Sequence, residues 1–133
     1  MSVNAEDFLR AAEQLISHNS HEIDYRSSMS RAYYATFHAL APLADQLPAA
    51  ANYTVKGSHD EKISKLTSCL PNHPQARLLK AIGYEIQKSK SRRVIADYKI
   101  DNVVTQNDAQ EQLDKAKYLL IQIADLKTVL QTP

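Results

Sequence analysis

Ser27-Ser28-Met29-Ser30-Arg31-Ala32-Tyr33-Tyr34-Ala35-Thr36-Phe37-His38-Ala39-Leu40 decides how this chain is read. Wound as a helix at about 100° per residue, the stretch separates into two faces. Tyr25, Met29, Ala32, Tyr33, Thr36, Leu40 and Leu43 fall on one side, with the apolar spacing of a core stripe. Arg31 and His38 are seven apart and project from nearly the same line on the other side. Their neighbours there are Ser27, Ser30, Tyr34, Ala35, Phe37 and Ala41, small or aromatic, with no Lys or Glu among them. Such a helix is expected to be covered on both sides. An Arg and a His in a semi-apolar strip need partners, from another helix, a second protomer or a ligand.

Working outward, 133 residues suffice for one domain with a real core and are too few for two comfortable ones, so residues 1–133 are read as a single domain. Two glycines, no tryptophan and abundant Ala, Leu, Ile, Gln and Lys favour helices over strands. Cys69 is the lone cysteine, which rules out an internal disulfide or a thiolate cluster within the chain and suits a reducing cytoplasm. No segment approaches the ~20 apolar residues that span a bilayer, so no membrane association is expected. Net charge is +1, but residues 77–99 carry +5 and the remainder −4. A basic segment on a near-neutral chain points modestly to phosphate or nucleic acid.

Five helices are expected in chain order. Asn4 reads as the N-cap of the first, with Glu6 and Asp7 favourable to its dipole and Phe8, Ala11, Ala12, Leu15 and Ile16 as its stripe. The second runs from about Asp24 to Leu47. Pro42 inside it offers His38 no N–H, which either kinks the helix or marks its weakening before Pro48. Pro48 to Gly57 reads as a loop, and Ser58 with Glu61 reads as a capping box opening a short third helix with Ile63, Leu66 and Leu70, stopped by Pro71. Pro74 fits the first position of a fourth helix with Leu78, Leu79, Ile82 and Ile86 inward. Ser91 to Val104 shows no clear period and reads as a long, ordered connection, with a helical start as one option. Thr105 to Asp108 is a third cap signal, opening a helix with Ala109, Leu113, Ala116, Leu120, Ile123 and Leu130. The sum is an all-α, antiparallel bundle of about five helices.

Arg31 and His38 are the candidates for chemistry. A histidine titrates near neutral pH and moves protons at a reacting oxygen. An arginine forks two N–H donors onto a phosphate. The pair would serve phosphodiester cleavage without metal, in which a ribose 2′-OH attacks the neighbouring phosphorus, and a two-fold dimer would bring two pairs together. The alternative is an Arg31 bonded to a carboxylate on another helix and a His38 satisfied in the core. His18 and His21 lack a completing metal set. His59 reads as a residue near a cap, His73 as a solvated turn residue and Cys69 as a buried inert thiol.

Ser30-Arg31-Ala32-Tyr33-Tyr34-Ala35-Thr36-Phe37-His38 resembles the signature of HEPN-domain proteins, in their small prokaryotic branch with an S-R-x-Y-Y-A-x-F-H core. Gly57-Ser58-His59 leading into Ile63 resembles the start of that branch's third helix. Arg92-Arg93 through Ala96-Asp97-Tyr98, followed by Thr105 and Asp108-Ala109, resembles its R-x-x-A-D-Y connection and last-helix opening.

The resemblance implies a helical bundle, usually homodimeric, in which an R-x4-6-H element faces a composite cleft. In active members this makes a metal-independent endoribonuclease, often a toxin of a toxin-antitoxin pair or a defence effector, with no cofactor. Carried over, His38 would be the general acid/base and Arg31 would hold the scissile phosphate, with Ser30 and Tyr34 in support. Arg92, Arg93, Asp97 and Tyr98 would brace the cleft or contact the RNA backbone. Other HEPN proteins are non-catalytic modules that bind a nucleotide or a partner such as a nucleotidyltransferase, and this is the alternative expectation. Ala32 stands where many active members carry a polar residue. Leu40 stands where members regulated by a minimal nucleotidyltransferase carry a nucleotide-accepting Tyr.

Overall fold

In the computed structural model, which describes residues 2–17, 20–48, 57–69 and 71–131, the helices are α1 Ala5–Gln14, α2 Glu22–Ala44, α3 Ser58–Thr67, α4 Ala76–Tyr98 and α5 Gln106–Gln131. No strand occurs among the described residues. The bundle is centred on α2, which packs against all four of the others. Its expected core side is inward: Met29, Ala32, Tyr33, Thr36, Leu40 and Leu43 are buried. Tyr25 is half-buried and donates its hydroxyl to the Ser20 carbonyl at 3.0 Å. The opposite face is covered only in part. Ala35 and Phe37 are buried there, while Arg31 and His38 are exposed.

Cap chemistry sets most of the helix starts. Asn4 and Asp7 exchange backbone and side-chain hydrogen bonds at 2.8 and 3.0 Å, and Thr105 and Asp108 do the same at 2.9 and 3.1 Å. The expected box at Ser58 does not form. Gly57 is the N-cap and Ser58 is already helical, so the Ser58 side chain caps nothing. Pro74 likewise falls short of the first helical position, because the α4 N-cap is Gln75. The second helix runs through Pro42 and stops at Ala44. His18, Leu70 and most of the expected loop before Gly57 lie outside the described residues.

The largest difference from expectation is the reach of α4, which continues unbroken to Tyr98, so that residues 91–98 belong to the helix and the connection to α5 is short. Its inward positions are Ile86, Ser89, Arg93 and Ala96, which keep helical spacing but include two polar residues in succession. Those polar positions hide the period. Polar groups of neighbouring helices satisfy this second half. Gln112 of α5 is buried and donates Nε2 to the Ser89 carbonyl at 3.0 Å. Arg26 of α2, also buried, donates to the carbonyls of Ala96 at 3.0 Å and of Ile95 and Lys99 at 3.3 Å, and reaches the Asn102 carbonyl. Its Nε pairs with Glu22 at 3.0 Å. A cation on the last carbonyls of α4 complements the helix dipole and ties the connection to α2. Helices α3 and α4 approach closely at Gly83, where an added Cβ would stand 2.9 Å from the Leu66 Cβ.

Candidate active site on α2

Arg31 and His38 are brought to one surface by α2 and share a neighbour from α1. The Phe8 ring lies 4.9 Å from the His38 ring, and the Arg31 guanidinium carbon is 6.0 Å from the Phe8 centroid. Arg31 makes no ion pair or hydrogen bond to any described residue. Among the described residues, no carboxylate pairs with Arg31 as the alternative reading expected. His38 is exposed, not a core histidine, and it also edges a cleft of about 590 Å³ with Asn4, Phe8, Pro42, Ile123 and Lys127. Tyr34, one turn before His38, is half-buried with its ring 6.2 Å from His38 and 6.4 Å from Phe8.

Beside this pair lies a second, more enclosed group. Arg93 of α4 is only 8% exposed, with its guanidinium carbon 5.3 Å from the Tyr33 ring, 5.6 Å from Tyr34 and 5.9 Å from Tyr98. It pairs with Asp97 at 3.3 Å, and Asp97 also accepts from the Ser30 hydroxyl at 3.3 Å. Desolvation works against the Arg93 charge, but Asp97, Tyr34 and Tyr98 outweigh it and hold its pKa above the ordinary value. Arg93 Nε is buried without a hydrogen-bond partner among the described residues. Ser30, Tyr34, Arg93, Asp97 and Tyr98 thus form one network that joins α2 to the end of α4. The pair with Asp97 and the cation–π contacts with three tyrosines together hold the arginine in place.

Arg92 stands apart from this network. Successive helical residues diverge by about 100°, and Arg92 lines shallow surface hollows beside Glu111, Asp114 and Lys115. The basic segment is also less concentrated than its sequence suggests. Lys88 pairs with Glu85, Lys90 with Asp60 and Arg93 with Asp97.

Two contributors are not singled out by the sequence. Phe8 fits the α1 stripe, yet its half-buried ring serves Arg31 and His38. His59 is more than a residue near a cap. Its ring lies parallel to Phe37 at 3.9 Å and 16°, and its Nδ1 is 2.7 Å from the Tyr33 hydroxyl. Burial first, then Lys90, Arg93 and His38, hold the His59 pKa below its ordinary value against the pull of Asp60. Burial raises the Tyr33 pKa strongly, so that hydroxyl keeps its proton. Only a glycine-serine-histidine run before a helix hinted at His59, because its partners Tyr33 and Phe37 are distant in sequence.

An exposed guanidinium that no described carboxylate pairs, sharing one phenylalanine ring with an exposed imidazole, has the chemistry to hold an anion and to move a proton at one of its oxygens. No curated protein and no solved structure matches this chain. The family model of the HEPN domain matches residues 3–124. With the five-helix bundle and the Arg31–His38 face on α2, that match covers most of the chain, which therefore belongs to the HEPN-domain family.

Proposed function

We propose that this HEPN domain is an endoribonuclease that works without metal, as a homodimer, and acts as a toxin or defence-type effector. The observation that carries the reading is the state of Arg31: exposed, uncompensated by any described carboxylate, and held with His38 against one aromatic ring. HEPN domains often dimerise and bind RNA, and the family includes RNA-cleaving effectors as well as non-catalytic modules. In the proposed reaction His38 takes the proton of a ribose 2′-OH as that oxygen bonds to the adjacent phosphorus. The P–O5′ bond breaks, and the departing oxygen takes a proton from an imidazolium in the composite cleft or from water. The products are a 2′,3′-cyclic phosphate and a 5′-hydroxyl. Arg31 binds the phosphoryl oxygens, where charge builds in the transition state.

One observation favours the second reading, a nucleotide- or partner-binding module. Lys90 and Arg93 are each paired with an aspartate, which leaves the site poor in free positive charge for a polyanion. Leu40, fully buried, offers no nucleotide-accepting hydroxyl, so modification at that position is not part of either proposal. The test that separates them is the chemistry of the ends. The wild-type protein, incubated with end-labelled RNA in chelator, is expected to leave cyclic-phosphate and 5′-hydroxyl termini. Intact RNA from a folded dimer would favour the module.

A further inference from the structure

His59 is held in both of the ways an imidazole can be held. One face lies flat on Phe37, and Nδ1 meets the Tyr33 hydroxyl. Tyr33 is fully buried, and His59 is the sole hydrogen-bond partner of its hydroxyl among the described residues. A buried hydroxyl that fails to donate costs about 1–3 kcal/mol, whereas its oxygen loses less by going unused. The Tyr33 O–H therefore donates, Nδ1 accepts, and the proton of the neutral ring sits on Nε2. That Nε2 has no hydrogen-bond partner among the described residues, and it is not among their buried, unsatisfied atoms. The groups that face the ring are Lys90 and Arg93 from α4, His38 from α2 and Asp60 from α3. Lys90 and Arg93 are cationic, each paired with an aspartate, and with burial they disfavour an imidazolium at His59. His38 and His59 both approach the Tyr34 ring, at 6.2 and 5.9 Å, so they share one short stretch of surface.

We propose that His59 Nε2–H is a further substrate-binding donor of this site and holds a phosphoryl oxygen of the bound RNA strand. Tyr33 keeps the ring neutral and its proton on Nε2. His59 transfers no proton; it adds a fixed donor beside the exposed Arg31. The proposal rests on the reading of Arg31 and His38 as a phosphodiester site. It explains why an imidazole is clamped between a buried tyrosine and a phenylalanine with one N–H left over.

The probe is a fully 2′-O-methylated RNA oligonucleotide, which cannot be cleaved by 2′-OH attack. His59→Phe keeps a ring on Phe37 without a donor, and His59→Gln restores an N–H near the Nε2 position. The Phe variant is expected to bind the probe about tenfold more weakly, and Gln to recover most of that loss. Nitrogen NMR of the wild-type ring should show the proton on Nε2 and a shift of that resonance on binding. Wild-type affinity in His59→Phe, or a free ring protonated on Nδ1, would overturn the proposal even if unmodified RNA is cleaved. Loss in His59→Phe with recovery in His59→Gln, but no cleavage of unmodified RNA by wild type, would sink the nuclease reading and leave His59 as a phosphate donor. An absence of any probe binding by wild type would overturn both.

Discussion

Arg31 and Arg93 show how far one residue type can differ between two turns of structure. Arg93 is buried among three tyrosines and tied to Asp97, so its charge is spent on joining α2 to α4. Arg31 is exposed with a single phenylalanine beside it, and no described residue takes its donors. His38 and His59 divide in a similar way, one exposed and the other clamped. The clamp has a pH signature. A histidine whose folded pKa lies below the unfolded value of 6.5 contributes stability that is fully present above pH 6.5 and is lost as pH falls through the folded value. The melting temperature is therefore expected to drop on acidification below pH 6.5, and the drop should be shallower in His59→Phe. Thermal unfolding followed across that range checks this. Parallel curves for the two proteins would contradict it.

At the scale of elements, the end of α4 is fixed by a side chain from another helix. Arg26 gathers carbonyls of α4 and of the connection to α5 while paired with Glu22. Arg26→Met keeps the stem but removes these donors, and should cost about 2–4 kcal/mol. Hydrogen exchange should show the loss first at residues 95–102, before the global transition. Gly83 makes the opposite kind of case. Alanine gains about 1 kcal/mol in helix propensity. Its Cβ would meet the Leu66 Cβ at 2.9 Å and the Thr67 Cγ2 at 2.8 Å, and overpacking of this kind costs about 1–3 kcal/mol. Gly83→Ala is expected to lower the urea midpoint in spite of its better propensity. A raised midpoint would show that α3 yields freely.

What the sequence discloses follows from the same local and tertiary division. The α2 stripe is legible because its apolar residues keep the helical period for several turns, and Thr105 with Asp108 announces α5 because a capping box is a local device. The second half of α4 is hidden because Ser89 and Arg93 occupy inward positions and find partners in Gln112 and the tyrosines, which no window of nearby residues contains. His59 is hidden for the same reason, since Tyr33 lies 26 residues away. Ser58 misleads because Ser with Glu three residues on fits the pattern, yet Gly57 takes the cap. Arg31 and His38 can be placed on one face by spacing alone. That both are exposed, with Phe8 shared between them, is a matter of how α1 packs on α2.

For the molecule as a whole, helix burial is separable from the Arg31–His38 pair, whereas Tyr33 serves both the core and the His59 clamp. The core clusters draw on Tyr33, Leu40, Leu79, Ile86, Leu113, Leu119 and Ile123, none of which belongs to the Arg31–His38 pair. No described helix is long and apolar enough to cross a membrane. Because Arg31 and His38 are exposed and make no hydrogen bond to any described residue, their removal is expected to change stability by less than about 0.5 kcal/mol. The role of the Arg31–His38 pair is decided by RNA cleavage in chelator by wild type, Arg31→Ala and His38→Ala, each matched for melting temperature and dimer content. Wild type is expected to cleave, and both folded variants to lose about a hundredfold or more of that activity. Undiminished cleavage by His38→Ala would contradict that role.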